Sequence, residues 1–123
     1  SEHFMQGVQY PLEIHFVHYN AKYTSLTDAV SSGKPHALLV IGQFFQMDQG
    51  IEPAALQQMG NEASRATSEG VVMNVPINLN NMINTADSYY SYAGSLTTPT
   101  CNEIVTWVVL QTPRTVSKAT MDK

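Results

Sequence analysis

Charge is scarce in this sequence: only 13% of its 123 residues are Asp, Glu, Lys or Arg, about half the share of an ordinary soluble chain. Basic residues are scarcer still, 6 against 10 acids, for a net charge of −4. So few scattered cations offer no stripe that neutralises phosphates, which argues against a nucleic-acid partner. Long apolar runs are absent too. The longest, Ala37 to Gly42 and Ile104 to Leu110, fall far short of the ~18 to 20 residues a bilayer span needs, so no membrane crossing is encoded. Cysteine occurs once, at Cys101, and no disulfide can close within the chain. No basic or apolar leader opens the sequence at Ser1-Glu2-His3-Phe4, which reads as the middle of something longer.

What is present is apolar enough to fold: 43% of residues are hydrophobic, which excludes a disordered chain, and the length allows one domain at most. Ser, Thr and Asn replace charge at the surface. After Tyr10-Pro11, Leu12 to Tyr19 alternates in character and predicts a strand, with Leu12, Ile14, Phe16 and His18 on one face and Glu13, His15, Val17 and Tyr19 on the other. On a pleated strand Glu13 and His15 are side by side. A polar connection leads to Ala37 to Phe45, a second and deeply buried strand. Gly42 within it points to a bulge or a close approach of another group. Pro53 to Arg65 reads as a helix with proline in its first turn, weakened by Gly60. Glu69 to Tyr92 is Asn-rich and reads as long loops with short strands and 3₁₀ turns. Glu103 to Gln111 is a last strong strand, with Val105, Trp107 and Val109 on one face and Pro113 stopping it; Ser117 is placed to cap a short helix.

Two segments carry chemistry. Ser1-Glu2-His3 followed by Leu12-Glu13-Ile14-His15-Phe16-Val17-His18-Tyr19-Asn20 resembles the zinc-ligand strand of α-class carbonic anhydrases. Tyr92-Ala93-Gly94-Ser95-Leu96-Thr97-Thr98-Pro99, continuing to Glu103-Ile104-Val105-Thr106-Trp107, is similar to that family's active-site loop and the strand after it. The resemblance covers essentially the whole chain. It implies a mostly β fold with short helices (α+β), residues 1–123 forming part of a large, mainly antiparallel twisted sheet.

The resemblance also implies roles. His15 matches one zinc ligand, and Glu13 matches the carboxylate that fixes its tautomer; read in isolation, the pair is an ordinary buried histidine with its acceptor. Thr97 matches the hydroxyl that orients zinc-bound hydroxide while donating to a buried carboxylate, here Glu2. Thr98 would line the place where bicarbonate forms. Without the family, Thr-Thr-Pro is common turn chemistry and a terminal acid is usually solvated. Val17, Val40, Leu96 and Trp107 match an apolar wall for carbon dioxide, although strand positions of this kind are usually plain core. The reaction implied is zinc-dependent hydration of carbon dioxide to bicarbonate.

Departures from the family pattern are equally specific. Its other two ligands form a His-x-His pair, and no His-x-His occurs here. His3, His18 and His36 lack an i, i+2 partner and do not replace it. These departures predict an internal fragment of a longer enzyme, without the His-x-His strand and the C-terminal strands. Such a fragment is inactive alone and needs the remainder of the domain, or another chain, to complete the fold. The alternative is a non-catalytic family member serving as an extracellular binding, matrix or assembly module. Cys101 matches a place where secreted members carry a bonded cysteine, which favours an extracellular protein over a cytoplasmic one. The lack of any Asn-x-Ser/Thr sequon argues the other way, and an unpaired cysteine is also ordinary packing.

Overall fold

The computed structural model describes residues 1–48, 50–67, 70 and 72–123. In chain order its elements are strand β1 (Leu12–Tyr19), helix α1 (Leu26–Ser32), strand β2 (Leu38–Met47), helix α2 (Ala54–Ala63), a 3₁₀ turn (Leu79–Asn81), strands β3 (Tyr89–Gly94), β4 (Val105–Leu110) and β5 (Arg114–Val116), and helix α3 (Lys118–Met121). Of the Asn-rich stretch, Glu69 and Val71 lie outside the described residues. Its remainder holds the expected 3₁₀ turn and short strand. No helix among the described residues is long and apolar enough to cross a membrane.

One sheet organises the chain in the order β1-β2-β4-β3, with β5 also pairing β2. The β1–β2 and β3–β4 pairings are antiparallel, but β2 runs parallel to both β4 and β5. The sheet of this chain is therefore mixed, with more of its pairing antiparallel than parallel, in keeping with the mainly antiparallel sheet that was expected. Its parallel seam joins segments far apart in sequence, and no local hairpin signal marks such a pairing. The same seam explains why β2 runs on to Met47 past the expected end at Phe45: Phe45, Gln46 and Met47 pair with Arg114, Thr115 and Val116.

Helix α1 falls in what reads as a polar connection. Its start is capped by the Ser25 hydroxyl, which accepts from the Asp28 N–H at 3.1 Å, and its end turns left-handed at Gly33 (φ 64°). Ser117 caps α3 as expected, accepting from the Thr120 N–H. Glu52 ties this end of the chain to the approach of α2. Its carboxylate accepts from the Ser117 N–H at 2.8 Å and from the Thr120 hydroxyl at 2.8 Å.

Period-2 alternation divides the core between the two sheet faces. On one face Ala29, Leu38, Val40, Val105 and Trp107 are buried together. On the other, Phe16 and Phe45 pack with Ala55 and Leu56 of α2, Met82 and Val116. Because Glu13 and His15 alternate with Ile14 and Phe16, they fall on the first face, beside Trp107. That alternation places the site.

Candidate functional site

Cross-strand register sets out the site in rows. Val17 of β1 pairs with Val40, Val40 with Trp107, and Trp107 with Tyr92. One step along, His15 pairs with Gly42 and Gly42 with Val109. Gly42 leaves a gap in its row that the Glu13 carboxylate enters: a Cβ built there would stand 3.2 Å from Glu13 Oε1 and 3.8 Å from His15 Cδ2. The β1–β2 register runs through this glycine without a break, so it serves a close approach of side chains and makes no bulge.

Glu13 is the hub. Its side chain is 2% exposed. Oε1 lies 2.7 Å from His15 Nε2 and 2.5 Å from His3 Nδ1, while Oε2 accepts the backbone N–H groups of Glu2 at 2.8 Å and His3 at 2.9 Å. Burial by itself pushes this carboxyl upward. The hydrogen bonds from His15, from the His3 backbone and ring, and from Glu2 outweigh it and hold the group down at about 2. Glu13 is therefore an anion that accepts four donors.

That assignment fixes protons around it. His15 carries its proton on Nε2 and His3 on Nδ1, each donating to Glu13. His3 Nε2 is then the acceptor for the Tyr92 hydroxyl, which bonds to it. Burial, followed by the nearby charges of Glu13 and Glu2, raises the Tyr92 phenol above its ordinary range and keeps it a donor. The chain of donors runs Tyr92 to His3 to Glu13, with His15 entering from the other side. It leaves His15 Nδ1 as the imidazole nitrogen with a free lone pair.

Trp107 braces both rings. Its centroid lies 4.8 Å from that of His15 and 4.9 Å from that of His3, both edge-to-face. Its indole N–H donates to the Ser95 carbonyl at 3.1 Å, which anchors the loop carrying Leu96, Thr97 and Thr98 beside the histidines. Gly94 at the root of that loop is needed, because a Cβ there would meet Tyr92 at 2.9 Å and Trp107 at 3.0 Å.

The other expected site residues are placed unevenly. Val40 and Trp107 are buried and Leu96 packs partly buried against them, whereas Val17, in the same row, is 48% exposed. Thr97 and Thr98 are exposed. Glu2 is not the buried carboxylate that was expected: its side chain is 53% exposed, because it precedes β1 in an irregular segment that only its backbone ties to Glu13. Among the described residues no hydrogen bond joins Glu2 to Thr97. Instead, Glu2 Oε2 stands 3.7 Å from the free His15 Nδ1. Cys101 is an exposed free thiol. His18 and His36 stay outside the cluster, with rings against the Phe16 carbonyl and the Thr106 hydroxyl respectively.

Residues 1–123, the whole chain, match the family model for eukaryotic-type carbonic anhydrase. The chain belongs to that family. Among curated relatives it is 32% identical to carbonic anhydrase 3 of Rattus norvegicus over 126 residues, and 34% identical to carbonic anhydrase 7 of Homo sapiens over 125 residues. Each alignment takes in 100% of this chain and 46% of the relative. The chain thus spans about half the length of the curated relatives it matches.

Within this carbonic anhydrase chain, a metal test can be made on the donors themselves. His3, Glu13 and His15 each place a ligand atom within 4.8 Å of the others. Their separations are those of hydrogen bonds, however: both His3 nitrogens are engaged and Glu13 is saturated. A catalytic zinc takes three protein donors and keeps a fourth position open. Only His15 Nδ1 offers itself here, so these residues fit one corner of such a site and not a whole one. His3 and Tyr92 are the site residues that reading the sequence missed as partners. Nothing local signals a contact between positions 3 and 92, since it depends on β3 folding back along β4.

Proposed function

We propose that this chain is the part of a longer carbonic anhydrase that carries one zinc ligand, its orienting carboxylate and the substrate wall, and that the intact protein hydrates carbon dioxide to bicarbonate. The observation that carries this reading is the hydrogen bond between Glu13 and His15. With Nε2 donating to the carboxylate, Nδ1 is left as the lone-pair nitrogen, the form a metal-binding imidazole requires. A structural histidine satisfied by its neighbour has no need of a second histidine, a tyrosine and two backbone amides locking that neighbour in place. Zinc bound at such a site lowers the pKa of its water to near neutrality and supplies hydroxide.

The remaining roles concern groups of this chain. Val17, Val40, Leu96 and Trp107 form the apolar surface against which carbon dioxide rests, supported by the shared row of Val17, Val40 and Trp107, by the packing of Leu96 against that cluster and by the Trp107 anchor on the loop. Thr97 orients the attacking oxygen, and Thr98 lines the position of the product. Glu2 is the proposed acceptor for the Thr97 hydroxyl in the intact enzyme. The intact protein's zinc is held by His15 with two histidines from outside this chain. An exposed Cys101 is accessible to a cysteine outside the chain, in keeping with an extracellular protein.

The deciding experiment measures zinc content and hydration rate in the intact protein with His15→Ala. Loss of most of the metal together with most of the rate is expected. Full occupancy and an unchanged rate would overturn the proposal. For Thr97→Ala the expected result is a rate lower by roughly 10²-fold with zinc retained. Glu2→Ala should match it, and losses that multiply in the double variant would separate the two residues. Non-reducing peptide mapping should find Cys101 in a linked peptide; quantitative alkylation without reductant would return the protein to the cytoplasm.

A further inference from the structure

A second polar concavity, of about 430 Å³, opens away from the histidine cluster, between the 3₁₀ turn and β5. It is lined by Asn80, Ile83, Asn84, Thr85 and Arg114. The sequence has only two arginines, and they differ in their surroundings. Arg65 is paired with Glu62 one helical turn away. Arg114 is half-buried on β5, and among the described residues no carboxylate lies within 4.0 Å of its guanidinium and no side chain or carbonyl accepts from it. A partly desolvated guanidinium without a counter-charge is expensive, and five N–H donors are left to be satisfied.

Asp87 is spent on the turn into β5, accepting the Thr112 N–H at 2.9 Å on one oxygen and the Thr112 hydroxyl at 2.7 Å on the other. The neighbouring side chains add neutral polar groups and no charge. Asn84 Oδ1 accepts the Ala86 N–H at 3.0 Å, which engages that oxygen and leaves the NH₂ group without a partner among the described residues. Asn80 and Thr85 contribute an amide and a hydroxyl, both without a side-chain partner among the described residues. One cation among neutral polar side chains, with no carboxylate in the lining among the described residues, is complementary to a small anion, and the planar fork of arginine matches a planar oxyanion bidentately.

We infer that the concavity at Arg114 is an anion site, separate from the histidine cluster, that takes a small planar oxyanion of the carboxylate or bicarbonate kind. Arg114 supplies the charge and the bidentate pair. Asn80, Asn84 and Thr85 line it with neutral polar groups, and Ile83 adds an apolar side chain. The site does not depend on the zinc chemistry proposed above.

The test is a titration of the intact protein at low ionic strength with acetate, with bicarbonate and with inorganic phosphate, followed through the backbone amide resonances of Ile83 and Thr85. Saturable shifts with acetate and bicarbonate are expected, with affinity weakened about tenfold or more in Arg114→Gln, the loss of one charge-assisted pair. Asn84→Ala, which keeps the charge, should weaken binding less and confirm the location if Arg114→Gln fails to fold. Shifts that do not saturate, shifts that persist in Arg114→Gln, or saturation by phosphate alone would each overturn the assignment.

Discussion

The two halves of the site are built in opposite ways. Around Glu13 every donor has its acceptor: two imidazoles, two backbone amides and, one step removed, a phenol converge on a single buried carboxylate. At Thr97 and Thr98 the side chains are exposed, and the loop is held by other groups: the Leu96 N–H on the Asn102 carbonyl, the Leu96 side chain against the core and the indole on Ser95. The histidine end is thus preorganised by groups of this chain, while the threonine end is positioned but not oriented. A preorganised group costs nothing to arrange at the moment of reaction, whereas a free hydroxyl must be fixed by something else.

The sharpest way to break that contrast is to remove the hub. Glu13→Ala leaves two imidazole N–H groups and two backbone amides without their acceptor, and should cost about 3 kcal/mol or more in chemical denaturation. A loss under about 1 kcal/mol would mean that the network is no more binding than the loop. Acid titration probes the same hub more gently. The Glu13 carboxyl is held at about 2 in the folded protein against 4.5 ordinarily. Its contribution is therefore complete above the ordinary value, and declines as pH falls from there toward about 2, where the folded state also takes up the proton. Glu52 and Asp87, also held below the usual range by hydrogen bonds that outweigh burial, act in the same direction. Glu13→Gln should accordingly flatten the acid limb of the stability curve without abolishing it, and an unchanged limb would count against the hub.

Gly42→Ala is a smaller perturbation aimed at the same place. A Cβ at 3.2 Å from Glu13 Oε1 crowds the carboxylate against the His15 ring, with an expected cost of about 1–3 kcal/mol and a shifted His15 ring resonance. Smallest of all should be Thr97→Ala, whose effect on unfolding is expected to stay within about 0.5 kcal/mol because the hydroxyl has no partner to lose. A large destabilisation there would show that the loop is wired after all.

How much of this was legible in the sequence depends on how local each signal is. β1 was readable to the residue, since Leu12 to Tyr19 alternates and Pro11 marks its start. α2 is close to its expected bounds because Pro53 fixes the entry. α1 was overlooked although Ser25 and Asp28 stand at capping spacing, its apolar face being little more than Ala29 and Val30. The parallel pairing of β2 with β4 and β5 has no sequence signature of its own. Within the site, Glu13 and His15 are two apart on one strand and could be paired on paper. His3 and Tyr92 could not, because the contact exists only after four strands have been laid side by side. The expected burial of Glu2 failed for a related reason: neighbours in sequence do not cover a residue in an irregular segment.

The parallel seam between β2 and β4 has a consequence for how the chain acquires its shape. β1 with β2 and β3 with β4 are antiparallel units of near sequence neighbours, which close cheaply, whereas joining Leu38 to Val105 requires most of the chain to be gathered first. His15 belongs to the early unit at one end, and Trp107 and the Thr97 loop to the unit at the other. Loop-closure cost therefore favours a late completion of the site, since His15 meets its indole brace only when the seam has formed. A nascent or partly opened chain displays its imidazoles without the geometry that would make them selective.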